Sequence, residues 1–161
     1  MDLKLERKIK WDLRYMALAA HIATWSKDPS TQVGAVLVRS NNSIASTGYN
    51  GFAPGADDSR HLYLDKDYKA ANVIHAEINA VDFFMEISKL TNLDGFTLYS
   101  SFPTCPDCME TLGARRLSRV VQTTLKTEGK DSEWIARWTK NIAKAREVAA
   151  FYRITLDTID V

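Results

Sequence analysis

The residues best able to do chemistry sit in two short clusters. His75 and Glu77 are separated by one residue, and Cys105 and Cys108 by two. Thiolates three apart on one helical turn point the same way and can share a metal ion. A histidine opening another helix can complete the set. Three protein ligands plus water is the pattern of a catalytic zinc, whereas a structural zinc normally has four protein ligands. The chain has no further cysteine to close such a site, and its other histidines, His21 and His61, lie in different contexts. Glu77 is poorly placed to ligate the same ion but can reach a water on it. Zinc lowers the pKa of a bound water from ~15.7 toward ~7, and a nearby carboxylate can take the proton and return it to a leaving group. The set reads as metal-assisted hydrolytic attack on an electrophilic carbon, with one Zn²⁺ per subunit and Glu77 as proton shuttle.

Each half has other uses. His-x-Glu alone is common by chance. Cys-x-x-Cys also suits a redox pair, half of a rubredoxin-like site or two buried thiols, and the strand expected just before it fits the redox use. The conjunction favours zinc: His-x-Glu opens one helix, Cys-x-x-Cys opens the next, and a strand lies between them.

The elements that must hold these residues are legible from periodicity. Trp11, Tyr15, Leu18, Ile22 and Trp25 step by four and three, which predicts a helix with one apolar face ending at Pro29. Residues 32–39 and 43–47 read as a hairpin turning at Asn41-Asn42. Residues 52–73 form a long polar loop with one short helix near Tyr63–Lys69. A second helix starts near His75, with Ile78, Val81 and Met85 on its apolar face. Phe96–Ser100 and Arg119–Thr124 read as strands, and Cys105–Ala114 as a helix with Pro106 in its first turn. A last helix spans Ser132–Tyr152, its stripe running through Ile135, Trp138, Ile142, Ala145, Ala149 and Tyr152, and Ile154–Ile159 can add a strand. This alternation predicts an α/β fold, one sheet with helices on both faces.

Composition sets the frame. At 161 residues with 45% apolar and 25% charged residues, the chain fits one domain, 1–161, with a core of its own. Its 21 basic and 20 acidic residues give a net charge of +1, which argues against holding duplex nucleic acid by charge. Two cysteines exclude a disulfide framework, and no apolar run approaches the ~20 residues that span a bilayer. The charged segment Met1–Lys10 resembles neither a secretory signal nor a transit peptide, so a reducing, cytoplasmic setting is expected.

His75-Ala76-Glu77 followed by Pro103-Thr104-Cys105-Pro106-Asp107-Cys108 matches the signature of zinc nucleobase deaminases, in which the glutamate is the acid/base and not a ligand. Ser26-Lys27-Asp28-Pro29-Ser30-Thr31-Gln32-Val33-Gly34-Ala35 and Gly48-Tyr49-Asn50-Gly51-Phe52 resemble the first loop and the nucleotide loop of the deoxycytidylate deaminase branch. The resemblance covers residues 11–124. The sequence departs from the branch's pattern at Ala53, Thr104 and Arg116, and in a C-terminal helix carrying Trp134 and Trp138.

The resemblance implies a three-layer α/β/α cytidine-deaminase-like fold around a mixed sheet of about five strands. It implies deamination of dCMP to dUMP, with Asn50 bonding the sugar or base. It also implies dCTP and dTTP as effectors and a homo-oligomer, hexamer or dimer. Asn50 reads equally well as a turn residue beside Gly51. The amide of Ala76 suits a base carbonyl, because a helix N-terminus leaves its amides free. Ser30 and Thr31 suit phosphate oxygens, and Lys27 either these or the end of the first helix. Ser101 and Phe102 suit the base pocket or the core. Arg60, with Lys66 and Lys69, is a candidate for phosphate or an effector triphosphate, as are Lys27, Gly51 and Phe52, or these are simply solvated.

Two other classes share parts of this set. A deaminase of bases in RNA or single-stranded DNA would need a basic groove with stacking aromatics, suggested only by Arg115, Arg116 and Arg119. A non-catalytic zinc protein would have no use for Glu77.

Overall fold

The computed structural model describes residues 2–161; Met1 lies outside the described residues. Helix α1 (Leu3–Ala23) leads into the hairpin β1 (Gly34–Val38) and β2 (Ile44–Tyr49). Two short helices, α2 (Arg60–Leu64) and α3 (Lys66–Asn72), cross the long loop to α4 (Ala76–Ser88). Then follow β3 (Thr97–Ser100), α5 (Pro106–Ala114), β4 (Arg119–Thr123), α6 (Ser132–Phe151) and β5 (Thr155–Ile159).

All five strands join one sheet in the order β2-β1-β3-β4-β5. β1 is antiparallel to β2 and β3, while β3, β4 and β5 run parallel. Successive side chains on a strand face opposite ways, and here they divide between two cores. Val36, Val38, Tyr99 and Val121 pack against Tyr15, Met16 and Ala19 of α1. Ala35, Leu37, Leu98 and Val120 pack on the other face against α4, α5 and α6 through Ala80, Val81, Leu112 and Ala149. That double burial is why the β1 run Gly-Ala-Val-Leu-Val is apolar throughout. The expected α/β/α layering around a mixed five-stranded sheet is therefore found. Among the described residues, no helix is long and apolar enough to cross a membrane.

Three elements differ from expectation. α1 starts at Leu3 rather than near Trp11, because Asp2 accepts the amide of Lys4 and the charged segment consists of good helix formers. Trp25 lies past the end of α1, half-exposed, edge-on to Tyr49 instead of in the core. The long loop holds two short helices, split at Asp65, whose carboxylate caps α3 through the amides of Asp67 and Tyr68.

Two contacts fix the elements that carry the site. Gly48 on β2 lies directly under α4, and a Cβ there would run into the backbone of Ala76 and Ala80. Only glycine lets strand and helix approach so closely. The loop after α1 is clasped by Asp28, which is fully buried. Asp28 accepts from the amide and hydroxyl of Ser30 (both 2.9 Å) and the amide of Thr31 (3.2 Å), and pairs with Lys69 of α3 at 2.5 Å. Burial opposes its ionisation, but the bonds from Lys69 and Ser30 outweigh this and hold the carboxyl below its ordinary value.

Gly48→Ala should cost about 3 kcal/mol of stability, read as a lowered Tm by calorimetry; an unchanged Tm would contradict the packing argument. Asp28→Asn should cost about 3 kcal/mol at neutral pH. Because the folded-state pKa is depressed, this stabilisation is complete above the unfolded value of about 3.9 and lost as the pH falls through the folded one. The stability difference between the two proteins in urea unfolding should accordingly shrink below about pH 4.

Candidate active site

Two helix N-termini build the site. His75 is the N-cap residue of α4 and Cys105 that of α5, both with extended backbone. Pro106 takes the first position of α5, where its missing amide costs nothing. The Cys105 sulfur accepts the amide of Cys108 at 3.4 Å, so the first turn of α5 fixes both thiols. Before it, the amide of buried Thr104 donates to Oε1 of Gln122 on β4 at 2.9 Å, which anchors the segment entering α5 to the sheet.

The side chains of His75, Cys105 and Cys108 converge, all ligand atoms lying within 4.8 Å of one another. His75 Nδ1 is 3.2 Å from the sulfur of Cys108 and 3.5 Å from that of Cys105. A tetrahedral zinc with bonds of about 2.1 Å to nitrogen and 2.3 Å to sulfur requires N–S separations of roughly 3.6 Å. The donor set and spacing therefore fit zinc, with one coordination position left to a non-protein ligand. Neither cysteine is in a disulfide. The hydrogen bond from the Cys108 thiol, with help from His75, pulls the Cys105 thiol pKa well down. The same bond and burial push Cys108 up, so one thiolate is already favoured without metal.

Glu77 occupies the first turn of α4 and is only 4% exposed. Burial raises its pKa, opposed by the nearby His75. A carboxyl raised in this way holds a proton more readily than an ordinary one, as a proton shuttle requires. The hydroxyl of Ser100 on β3 lies 3.1 Å from its Oε1 and 2.9 Å from the carbonyl of Phe102, and so orients the carboxyl group.

One cavity contains His75, Glu77 and Cys105 together with Thr31, Asn50 and Phe102 from the sequence-derived set. Asn50 is buried and lacks left-handed backbone, so the turn explanation does not describe it. Its Oδ1 accepts the amide of Val33 and its Nδ2 donates to the carbonyl of Thr31, both at 2.8 Å. Ala76 is fully buried at the first position of α4. Ser30 and Lys69 meet in the Asp28 clasp, the Lys69 ammonium donating to the Ser30 hydroxyl at 2.8 Å. The hydroxyl of Ser101 accepts the amide of Gly34 and ties the end of β3 to the start of β1.

The remaining residues lie elsewhere. Lys27, Gly51 and Phe52 line a second cavity, where Lys27 pairs with Asp58 at 2.7 Å and Phe52 stacks on Tyr63. Arg60 borders a separate surface groove with Lys27. Lys66 is exposed.

Several residues around the site went unassigned in the sequence. Asp28, Ser100 and Gln122 hold its framework; Ser100 and Gln122 are marked by a polar residue ending or interrupting an apolar strand, whereas Asp28 sits in a polar segment with no such mark. Trp134, Arg137 and Trp138 of α6 line the catalytic cavity, and the tryptophan rings pack beside Phe102. The helical spacing places Trp138 in the core stripe of α6, whereas in the structure it is half-buried against this cavity. The three arginines that suggested nucleic-acid binding are all paired: Arg115 with Asp82, Arg116 with Asp94, and Arg119 with Asp12 and Asp157.

Comparison with known proteins agrees with this geometry. The family model for the cytidine and deoxycytidylate deaminase zinc-binding region matches residues 9–124. An uncharacterized deaminase from the luxG 3′ region of Aliivibrio fischeri is 32% identical over 139 residues, 86% of each chain. The deoxycytidylate deaminase of Homo sapiens is 32% identical over 145 residues, 87% of this chain and 79% of that one. The crystal structure of dCMP deaminase from cyanophage S-TIM5 in complex with dCMP and dUMP superposes with a TM-score of 0.69 over 99% of both chains, at 22% identity. A tRNA:A34 deaminase structure shares the fold more distantly, with a TM-score of 0.58 at 18% identity. The matched segment contains every residue of the metal cluster together with Glu77, and on these grounds the chain belongs to the zinc-binding cytidine and deoxycytidylate deaminases.

Proposed function

We propose that this deaminase converts dCMP to dUMP and ammonia, supplying dUMP for dTMP synthesis. The observation that carries the reading is Glu77, buried in the first turn of α4 in the same cavity as the zinc ligands. The likeness to the human deoxycytidylate deaminase supports the choice of substrate. His75, Cys105 and Cys108 would hold the metal. Zinc bound there makes water a competent nucleophile at neutral pH.

The protein's own groups do the rest. Glu77 moves a proton from the attacking water to the ring nitrogen beside the amino-bearing carbon. It then takes the second proton from the hydroxyl now bonded to that carbon, as the carbonyl forms and the carbon–nitrogen bond breaks, and delivers it to the amino group, which leaves as ammonia. Ser100 keeps the carboxyl of Glu77 in place between the two transfers. The amide of Ala76, free at the start of α4, donates to the base carbonyl. The ring of Phe102 covers the base, and Asn50 and Thr31 border the sugar. The alternative substrates, bases in RNA or single-stranded DNA, lose the basic cluster that suggested them, since Arg115, Arg116 and Arg119 are each neutralised.

The finer features follow from the same reading. Residues 1–161 form one deaminase domain, supported by every strand joining one sheet. The second cavity, bordered by Lys27, Gly51 and Phe52, suits a dCTP or dTTP effector, with Arg60 nearby on the surface. The exposed apolar side chains Trp25, Tyr49, Phe83 and Ile87 support a homo-oligomer. Thiol ligands suit a reducing, cytoplasmic compartment.

Glu77→Gln should retain one zinc per chain and an unchanged circular dichroism spectrum while ammonia release from dCMP falls roughly 10²–10⁴-fold. Undiminished turnover would sink the mechanism. Cys108→Ala should leave well under one zinc per chain after dialysis, measured by metal analysis, and should lower Tm together with the loss of metal.

A further inference from the structure

A nucleoside monophosphate puts its base and its charge at opposite ends. Its base must reach the buried end of the cavity, where Glu77 and the metal ligands lie. Its phosphate therefore stays toward the mouth. The acidic side chains Asp28 and Glu77 also line this cavity, so a phosphate dianion needs an uncommitted cation there.

Two side chains with permanent positive charge line the cavity, Lys69 and Arg137. Lys69 is committed to buried Asp28 at 2.5 Å. Arg137 makes no ion pair among the described residues. Even Glu133, one helical turn earlier, leaves it free. Arg137 is exposed, as a residue at the mouth must be.

The helix presenting it is also arranged for this cavity. Trp134, Arg137 and Trp138 are spaced by three and four residues, so they share one face of α6. The two indoles hold that face against the site: Trp138 is edge-on to Phe102 at 4.7 Å and Trp134 lies 6.4 Å from it. The fully buried residues of α6 are Ala145 and Ala149, both in its C-terminal half. In the N-terminal half Trp134 and Trp138 are half-buried, and their rings face Phe102 across the cavity. α6 also lies beyond the segment that the family model matches.

We propose that Arg137 is the residue that reads the 5′-phosphate, its guanidinium positioned by Trp134 and Trp138, and that it makes this deaminase select monophosphates over nucleosides. The proposal rests on the reading of the substrate as a pyrimidine nucleotide. A guanidinium binds phosphate through two parallel N–H donors, whereas the neighbouring rings set its reach and contribute no charge.

The test measures kcat/KM for pairs of nucleoside and 5′-monophosphate, deoxycytidine with dCMP and cytidine with CMP, in the zinc-loaded protein. Arg137→Ala should lower the preference for the monophosphate roughly 10- to 100-fold, through KM. Arg137→Lys should restore part of it. Isothermal titration with dUMP and deoxyuridine gives the same comparison without turnover: the variant should lose affinity for dUMP and not for deoxyuridine. An unchanged preference, or equal losses on both members of a pair, overturns the role of Arg137. Failure of the unaltered protein to deaminate either monophosphate overturns the substrate reading instead.

Discussion

The chemistry of this protein depends on the convergence of two helix N-termini. Each such end leaves backbone amides without intrahelical partners and carries a partial positive charge. Here α4 and α5 point theirs at one cavity, and two thiols and a carboxyl, whose anionic forms benefit, are placed there beside an imidazole. The N-cap positions themselves are occupied by metal ligands, His75 and Cys105, where Ser, Asp or Asn would be usual. Capping is given up at α4, where no side-chain bond replaces it. At α5 the Cys105 sulfur does both jobs.

Everything else serves to hold those two ends at a fixed separation. The contact of Gly48 with α4 sets the height of His75 above the sheet. The Gln122 side chain ties the approach to α5 down to β4, and the parallel register of β4 with β5 places Thr158 within 3.4 Å of the same amide group. Position along the sheet is thus converted into distance between ligands. On the far side, Arg119 binds Asp12 of α1 and Asp157 of β5 at 2.6–2.8 Å, so the layer without catalytic residues is locked to the same strands.

The fold and the metal cluster were largely legible in the sequence because both depend on local signals. Apolar periodicity marked α4 and the strands, and ligand spacing marked the first turn of α5. The substrate-facing parts were not legible to the same degree. Trp138 fits a core stripe in the sequence because a tryptophan at helical spacing has the same pattern whether it faces a core or a cavity. Asn50 looked like a turn residue, and only its three-dimensional neighbours, Thr31 and Val33, reveal a side chain that joins two loops. Asp28 lies in a short polar segment, and nothing local says that its partner is Lys69, 41 residues on. Trp25 continued a helical repeat past the point where the helix ends.

The chain order of these parts has a consequence for biogenesis. Every metal ligand, Glu77 and the Gln122 anchor precede residue 124, whereas the Trp134–Trp138 wall belongs to the last quarter of the sequence. During synthesis from the N-terminus, the residues that hold zinc leave the ribosome before those that close the cavity. A growing chain can therefore acquire its metal before it has a complete place for a substrate, and the ion is available to stabilise the sheet onto which α6 and β5 later dock.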